Sequence, residues 1–258
     1  MANRNVLIIG GSYFAGRVFI EELIEAGGYT IYALNRGNIP IRKEEVNSIV
    51  CDRHDARRLR PAVPPLEWDA VVDFCAYTAA DISLLTENLP AGPVRQYIFV
   101  STASVYAPSH NLPVSEDSSL LEGPQPELGP MADYAYNKLL AEEELRRRVE
   151  AAGGVYTIIR PAFIYGKFNY APRESYFFDL LYSGEEIVIP ENGLPLFSVV
   201  SVRDTARLLR LCIGNTAAAG TVFNAAAPEL ISYPRLAEEL EKLEPEKFKM
   251  KTASREEI

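Results

Sequence analysis

Val6-Leu7-Ile8-Ile9-Gly10-Gly11-Ser12-Tyr13-Phe14-Ala15-Gly16 is the stretch on which the fold turns. Four apolar residues run straight into paired glycines. A helical pattern follows, with Val18, Ile20, Leu23 and Ile24 apolar and Glu21, Glu22 and Glu25 polar, and Gly27-Gly28 ends it, as glycine commonly ends helices. Strand, glycine turn and helix in this order open a βαβ unit. Such a turn suits an anion: the amides at a helix N-terminus lack partners and the helix dipole adds partial positive charge. Glycines let the backbone approach phosphates, and the last one allows close strand–helix contact. The stretch therefore predicts a pyrophosphate site at Gly10, Gly11, Ser12, Tyr13, Phe14 and Gly16.

Working outward, Tyr29 to Leu34, Ser48 to Val50, Ala70 to Phe74, Tyr97 to Val100 and Val155 to Ile159 read as strands. Helical stretches lie near Ala56–Leu59 and Ala79–Asn88. Nearly all-apolar strands are buried on both faces, as in a parallel sheet covered by helices. The alternation predicts a doubly wound α/β fold. Residues 107–130 read as a long loop, and a strong helix runs from about Ala132 to Ala152. From Arg160 the chain turns irregular and aromatic, with Phe163, Tyr165, Phe168, Tyr170, Tyr176, Phe177 and Phe178. Aromatic residues in such a segment are more often core than pocket wall, so core is expected. Ser198–Val202 and Thr221–Asn224 read as further strands, and a charged helix and tail close the chain. No repeat or low-complexity linker marks a domain boundary.

The 258 residues are 48% hydrophobic and 24% charged, with a net charge of −9. A chain of this length buries roughly 75% of its unfolded surface and needs no staple. No apolar run reaches the ~18 residues of a membrane span, and the start lacks the features of a signal peptide. Cys51, Cys75 and Cys212 lie far apart and are odd in number, which predicts reduced thiols, a cytoplasmic setting and no metal. The acidic balance argues against a general nucleic-acid binder.

An acidic residue about 20 positions after the glycines would hold the ribose 2′-hydroxyl of NAD. Asn35-Arg36 stands there instead. A guanidinium suits the 2′-phosphate of NADP, so NADP is expected, with NAD as the alternative. Tyr134 and Lys138 lie one turn apart on the long helix, hence on one face. An ammonium near a phenol favours the phenolate, and a phenol so tuned can exchange a proton with a carbinol oxygen. Ser101 and Thr102 end the fifth strand, at the edge where ligands bind in such sheets. His54 and His110 are isolated in the sequence and receive no role.

GGSYFAG, STASVY, YAYNK, RPAFIYG, SVRDTA and VFNAAAPE occur in this order across nearly the whole chain. Together they resemble the extended short-chain dehydrogenase/reductases, the NAD-dependent epimerase/dehydratase family. The resemblance implies a Rossmann-like doubly wound sheet over residues 1–162 continued by about 198–225, with a reduced substrate lobe from 163–197 and 226–258. It implies Thr102, Tyr134 and Lys138 as the catalytic set, Lys138 also holding the nicotinamide ribose. It places Asp52 and Arg53 at the adenine, and Cys75, Ala76, Tyr77, Ser101, Pro161, Ala162 and Phe163 along the cofactor. The NRG after strand two and the DRHD after strand three are most similar to the branch of chloroplast stem-loop-binding proteins and their bacterial relatives.

Several positions depart from the family pattern. The middle glycine is Tyr13, the Asn common after the sixth strand is Phe163, and the Arg that clamps a nucleotide-sugar diphosphate is Phe197. These losses argue for a smaller or more apolar substrate than a nucleotide sugar. The leading expectation is an oxidoreductase or an epimerase/dehydratase-like enzyme. A cofactor-holding sensor or scaffold is the alternative, and an RNA-binding relative is disfavoured by charge. Pairing of two copies through the long helices is common in such proteins.

Overall fold

The computed structural model describes residues 3–90, 94–191 and 196–254. The parts of the expected units at 1–2, 91–93, 192–195 and 255–258 lie outside the described residues. The first half runs β1 (Arg4–Ile9), α1 (Phe14–Ala26), β2 (Tyr29–Asn35), β3 (Val46–Val50), α2 (Ala56–Ala62), β4 (Ala70–Asp73), α3 (Ala79–Asn88) and β5 (Gln96–Val100). The second half runs α4 (Tyr134–Ala151), β6 (Val155–Pro161), β7 (Phe163–Tyr165), α5 (Glu174–Ser183), β8 (Ile187–Pro190), β9 (Phe197–Ser201), α6 (Val202–Cys212), β10 (Thr221–Ala225), β11 (Leu230–Ile231), α7 (Tyr233–Leu243) and β12 (Met250–Ala253).

Seven strands form a parallel sheet in the order β10-β6-β5-β4-β1-β2-β3. This is the doubly wound, Rossmann-like architecture expected. Along β1, Val6 and Ile8 face the layer of α1 and α6, packing with Val18, Phe19, Leu23, Ala206 and Leu209. Leu7 and Ile9 face the layer of α3 and α4, packing with Ile82, Leu85, Ala141 and Leu145. Both faces are therefore apolar, which is why the strand reads as an unbroken hydrophobic run. The strand order reverses between β1 and β4, and a ligand crevice opens beyond the carboxyl ends of strands at such a switch point.

The irregular segment holds more structure than its sequence suggests. β7 and β9 join β11 in a second sheet, and β8 pairs with β12 in a third. Beside β8, Phe177, Phe178, Ile187, Ile189, Ala237 and Leu240 form a small core of their own. The expected strand at 198–202 ends at Ser201, whose hydroxyl accepts the Arg203 N–H and caps α6. The boundary expected near residue 198 falls inside β9, which pairs outside the seven-stranded sheet. Four of the aromatic residues expected in the core are exposed instead: Phe163 at 56%, Tyr165 at 43%, Tyr170 at 70% and Tyr176 at 50%. Phe163 and Tyr165 sit on the short strand β7, Tyr170 in the loop after it and Tyr176 on the outer face of α5, and no second layer buries them. No helix among the described residues is long and apolar enough to cross a membrane.

Candidate active site

Because every strand of the main sheet runs the same way, the candidate residues after β1 to β6 all emerge at one edge. The glycine turn lies at its centre. Gly10 and Gly11 take φ of 111° and 94°, open to glycine but strained for other residues. A Cβ at Gly10 would meet Cys75 Sγ at 2.8 Å, and one at Gly16 would meet the Gly11 backbone at 2.8 Å. α1 starts with Tyr13 as an extended N-cap that makes no side-chain cap, and its first turn holds no acidic residue. Ser12 Oγ is buried without a hydrogen-bond partner. Uncapped amides, an unpartnered buried hydroxyl and a cradle with no room for side chains fit the diphosphate of a dinucleotide.

At the end of β2, Asn35 Oδ1 accepts the Gly37 N–H at 2.7 Å. Arg36 is exposed and makes no ion pair among the described residues. After β3, Asp52 accepts the His54 N–H at 2.9 Å. Arg53, expected at the adenine, is turned into the protein. Its guanidinium donates twice to Asp73 Oδ1 and Oδ2, at 2.8 and 3.0 Å, and to the Asp81 carbonyl at 2.9 Å. Asp73 also accepts the N–H groups of Cys75 and Ala76 and the Tyr97 hydroxyl. This buried carboxylate shapes the turn after β4, and burial with Asp73 beside it pushes the Cys75 thiol up to about 11. Cys75 packs against the glycine turn, its Sγ beneath Gly10. His54 is not isolated: its ring nitrogens lie 2.7 Å from Asp81 Oδ1 and 3.3 Å from Asp52 Oδ1.

The catalytic candidates gather beside the same turn. Thr102 follows β5 and caps the short turn Ala103–Val105, its hydroxyl donating to Ser104 Oγ at 3.2 Å, and it lies near enough to Tyr134 to weigh against the rise of that phenol. Lys138 is buried, and its Nζ donates to the carbonyls of Ala76 at 2.8 Å and Val100 at 2.6 Å. Burial lowers its pKa to about 8. Tyr134 does not follow the expectation of a lowered phenol: burial raises it, and Thr102 and Arg173 only partly oppose this. The ammonium of Lys138 is directed at the two carbonyls rather than at the phenol. Tyr77 lies with its ring 6.4 Å from that of Tyr134. Ser101 does not face the crevice as expected, because its hydroxyl donates to the buried Glu142 at 2.6 Å. Pro161 is buried at the end of β6, Ala162 donates its N–H to the Ala225 carbonyl, and Phe163 opens outward.

Sequence reasoning missed Asp73, Glu142, Arg160 and Arg173. Asp73 and Glu142 left a trace: an acid ending an all-apolar strand, and an acid one helical turn beyond Lys138 on the same face.

A family model described as "NAD dependent epimerase/dehydratase family" matches residues 6–226. The chain is similar to the chloroplast stem-loop binding protein of 41 kDa b of Arabidopsis thaliana, with 27% identity over 250 residues, 92% of this chain and 62% of that protein. It is similar to the UDP-glucose 4-epimerase of Azospirillum brasilense, with 27% identity over 177 residues, 61% of this chain and 48% of that one. The chain thus spans less than two thirds of the length of these relatives. Among solved structures, it resembles the UDP-glucose 4-epimerase of Thermotoga maritima with UDP-glucose, at a TM-score of 0.80 and 20% identity, covering 97% of this chain and 86% of that chain. It also resembles the UDP-glucuronic acid 4-epimerase of Bacillus cereus in complex with UDP-glucuronic acid and NAD, at 0.77 and 17%, covering 97% and 86%. At these identities the structural likeness is one of fold.

Proposed function

The chain belongs to the NAD dependent epimerase/dehydratase family, and from that premise we propose that it is a nicotinamide-dependent enzyme acting at a carbinol or carbonyl carbon. The observation that carries this reading is the meeting of two features at one sheet edge. One is the uncapped glycine turn with its unpartnered Ser12 hydroxyl. The other is the Thr102–Tyr134 pair, with Lys138 close by. A bound nicotinamide would supply or accept the hydride. Tyr134 passes the proton to or from the substrate oxygen. Thr102 holds that oxygen by hydrogen bond, and Lys138 supplies fixed positive charge beside the turn after β4. Asn35, Asp52, Ala76, Tyr77, Pro161 and Ala162 border the cofactor path. Arg36, exposed and free of an acidic partner among the described residues, favours NADP over NAD by pairing with the 2′-phosphate. Phe163 and Phe197 stand where a nucleotide sugar would need an amide and a guanidinium, so the substrate is smaller or more apolar.

Calorimetry with NADPH and NADH, followed by turnover on a carbonyl panel, tests the reading. Arg36→Ala is expected to weaken NADPH binding roughly 10- to 100-fold and to leave NADH nearly unchanged; equal losses would remove the 2′-phosphate role. Tyr134→Phe is expected to lower turnover by roughly 10²- to 10⁴-fold, and unchanged turnover would sink its role. Tight cofactor binding with no turnover on any substrate would favour a sensor or scaffold.

One feature favours a second reading, binding of nucleic acid. Arg57, Arg58 and Arg60 of α2 are exposed and make no ion pair among the described residues. A similar chloroplast protein is described by its name as stem-loop binding. Filter binding to a stem-loop RNA should then weaken steeply with salt; absence of binding at low salt dismisses this reading.

A further inference from the structure

The small sheet that holds β7 and β9 carries a row of aromatic side chains. Phe163 on β7 pairs with Val199 on β9. Phe197 lies two residues along β9 and therefore on the same face of that sheet. The two rings meet edge-on with centroids 6.4 Å apart, and Phe197 in turn lies 5.4 Å from the ring of Tyr233 at the start of α7. Phe163 is 56% exposed at the end of this row. Exposed apolar surface such as that of Phe163, backed by further rings, marks a place for an apolar ligand body.

Arg173 adds charge to this row. Its guanidinium lies 5.5 Å from the Phe163 ring centre. One of its N–H groups donates to the Ile164 carbonyl at 3.1 Å, and no carboxylate pairs with it among the described residues. The adjacent acid is committed elsewhere: Glu174 accepts the Gly166 N–H and the Asn169 amide. The cation is near enough to Tyr134 to oppose part of the rise in its phenol. A guanidinium has five donors in a planar fork that matches a carboxylate, and most of these remain available.

We propose that the crevice takes a small carboxylate with a flat, apolar body: the carboxylate on Arg173, the body against Phe163 and Phe197, and the reacting oxygen toward Tyr134. This deepens the enzyme reading above and rests on it for the reaction alone. The carboxylate preference stands on the Arg173–Phe163 geometry and can be read without turnover.

Binding of phenylpyruvate, its methyl ester, pyruvate and UDP-glucose is measured by calorimetry with and without NADPH, and NADPH oxidation is followed separately. Phenylpyruvate is expected to bind roughly 10- to 100-fold more tightly than its uncharged ester and more tightly than pyruvate. Arg173→Gln should erase the acid-over-ester preference while keeping the aryl preference, and Phe163→Ala should do the reverse. UDP-glucose binding better than phenylpyruvate, or an acid-to-ester ratio unmoved by Arg173→Gln, overturns the proposal. The acid preference without any NADPH binding would uphold this pocket and sink the oxidoreductase reading. NADPH binding and turnover without the acid preference would do the opposite.

Discussion

Lys138 shows how much of a residue's role lies outside its motif. The Tyr134–Lys138 spacing is legible because a helix fixes it. Where the ammonium points is not, because that depends on the carbonyls of Ala76 and Val100, supplied by two other strand ends. Arg53 and Ser101 repeat the lesson: each holds a motif position, yet each side chain is claimed by a buried carboxylate, Asp73 or Glu142. The titration of Lys138 gives a test. In the proposed reaction, oxidation of a carbinol needs the Tyr134 phenolate beside a charged Lys138. Tyr134 is held above its ordinary value, so phenolate grows as pH rises. Lys138 loses its proton near 8, so the cation is lost over the same range. The form with both charges therefore increases with pH up to about 8 and levels off beyond it. Oxidative kcat/KM, measured from about pH 6 to about pH 10, should break at that point. Lys138→Met should turn over more slowly and show no break there. A wild-type profile that climbs unbroken through pH 8 would exclude the assigned pairing.

At the scale of elements, the turn between β1 and α1 is the most constrained piece of the chain. Gly16 shows this better than Gly10 or Gly11, because its limit is contact with backbone that cannot swing aside. Gly16→Ala should destabilise the fold by about 1–3 kcal/mol and weaken cofactor binding. Gly123→Ala, where a Cβ meets nothing within 4 Å, should stay within about 0.5 kcal/mol of wild type. Thermal unfolding with and without NADPH checks both; an unshifted Gly16→Ala would mean the turn has slack. The core strands were readable because both faces are buried. α3 has a capping box, Thr78 with Asp81, and its span matches the sequence reading. α6 carried an unused signal, buried Val202, Thr205, Ala206, Leu209 and Cys212 at helical spacing, in a segment expected to extend a strand through Val202. β8 and β12 were not readable, because each is a short run given form by a partner about sixty residues away. The exposed Phe163 misled for a related reason: composition tells that a residue is apolar, not whether a second layer covers it.

Across the whole molecule, one buried network joins α4 to the sheet. Glu142 of α4 accepts the Ser101 hydroxyl at the end of β5 and two bonds from Arg160 of β6, at 3.0 and 2.7 Å. Arg160 also donates to the Tyr106 hydroxyl, which donates to Asn224 on β10. The Asn224 N–H in turn donates to Glu116 in the long loop. Four elements and a loop thus share one pair of buried charges. Taking these ions from water is costly, so the intact pair adds little net stability, whereas removing one partner strands a buried charge at about 3–5 kcal/mol. That is a large part of the roughly 5–15 kcal/mol that holds a typical domain together. The two single losses should differ. Arg146 lies 3.4 Å from Glu142 Oε2 and can still face the carboxylate in Arg160→Met. In Glu142→Gln, no other carboxylate pairs with Arg160 among the described residues. Urea unfolding should therefore rank Glu142→Gln as the more damaging. Glu142→Leu combined with Arg160→Met should cost less than the sum of Glu142→Leu alone and Arg160→Met alone, because the double leaves neither charge of the pair buried. Strict additivity would mean that the two residues act apart, and that Ser101 and Tyr106 are held by packing alone.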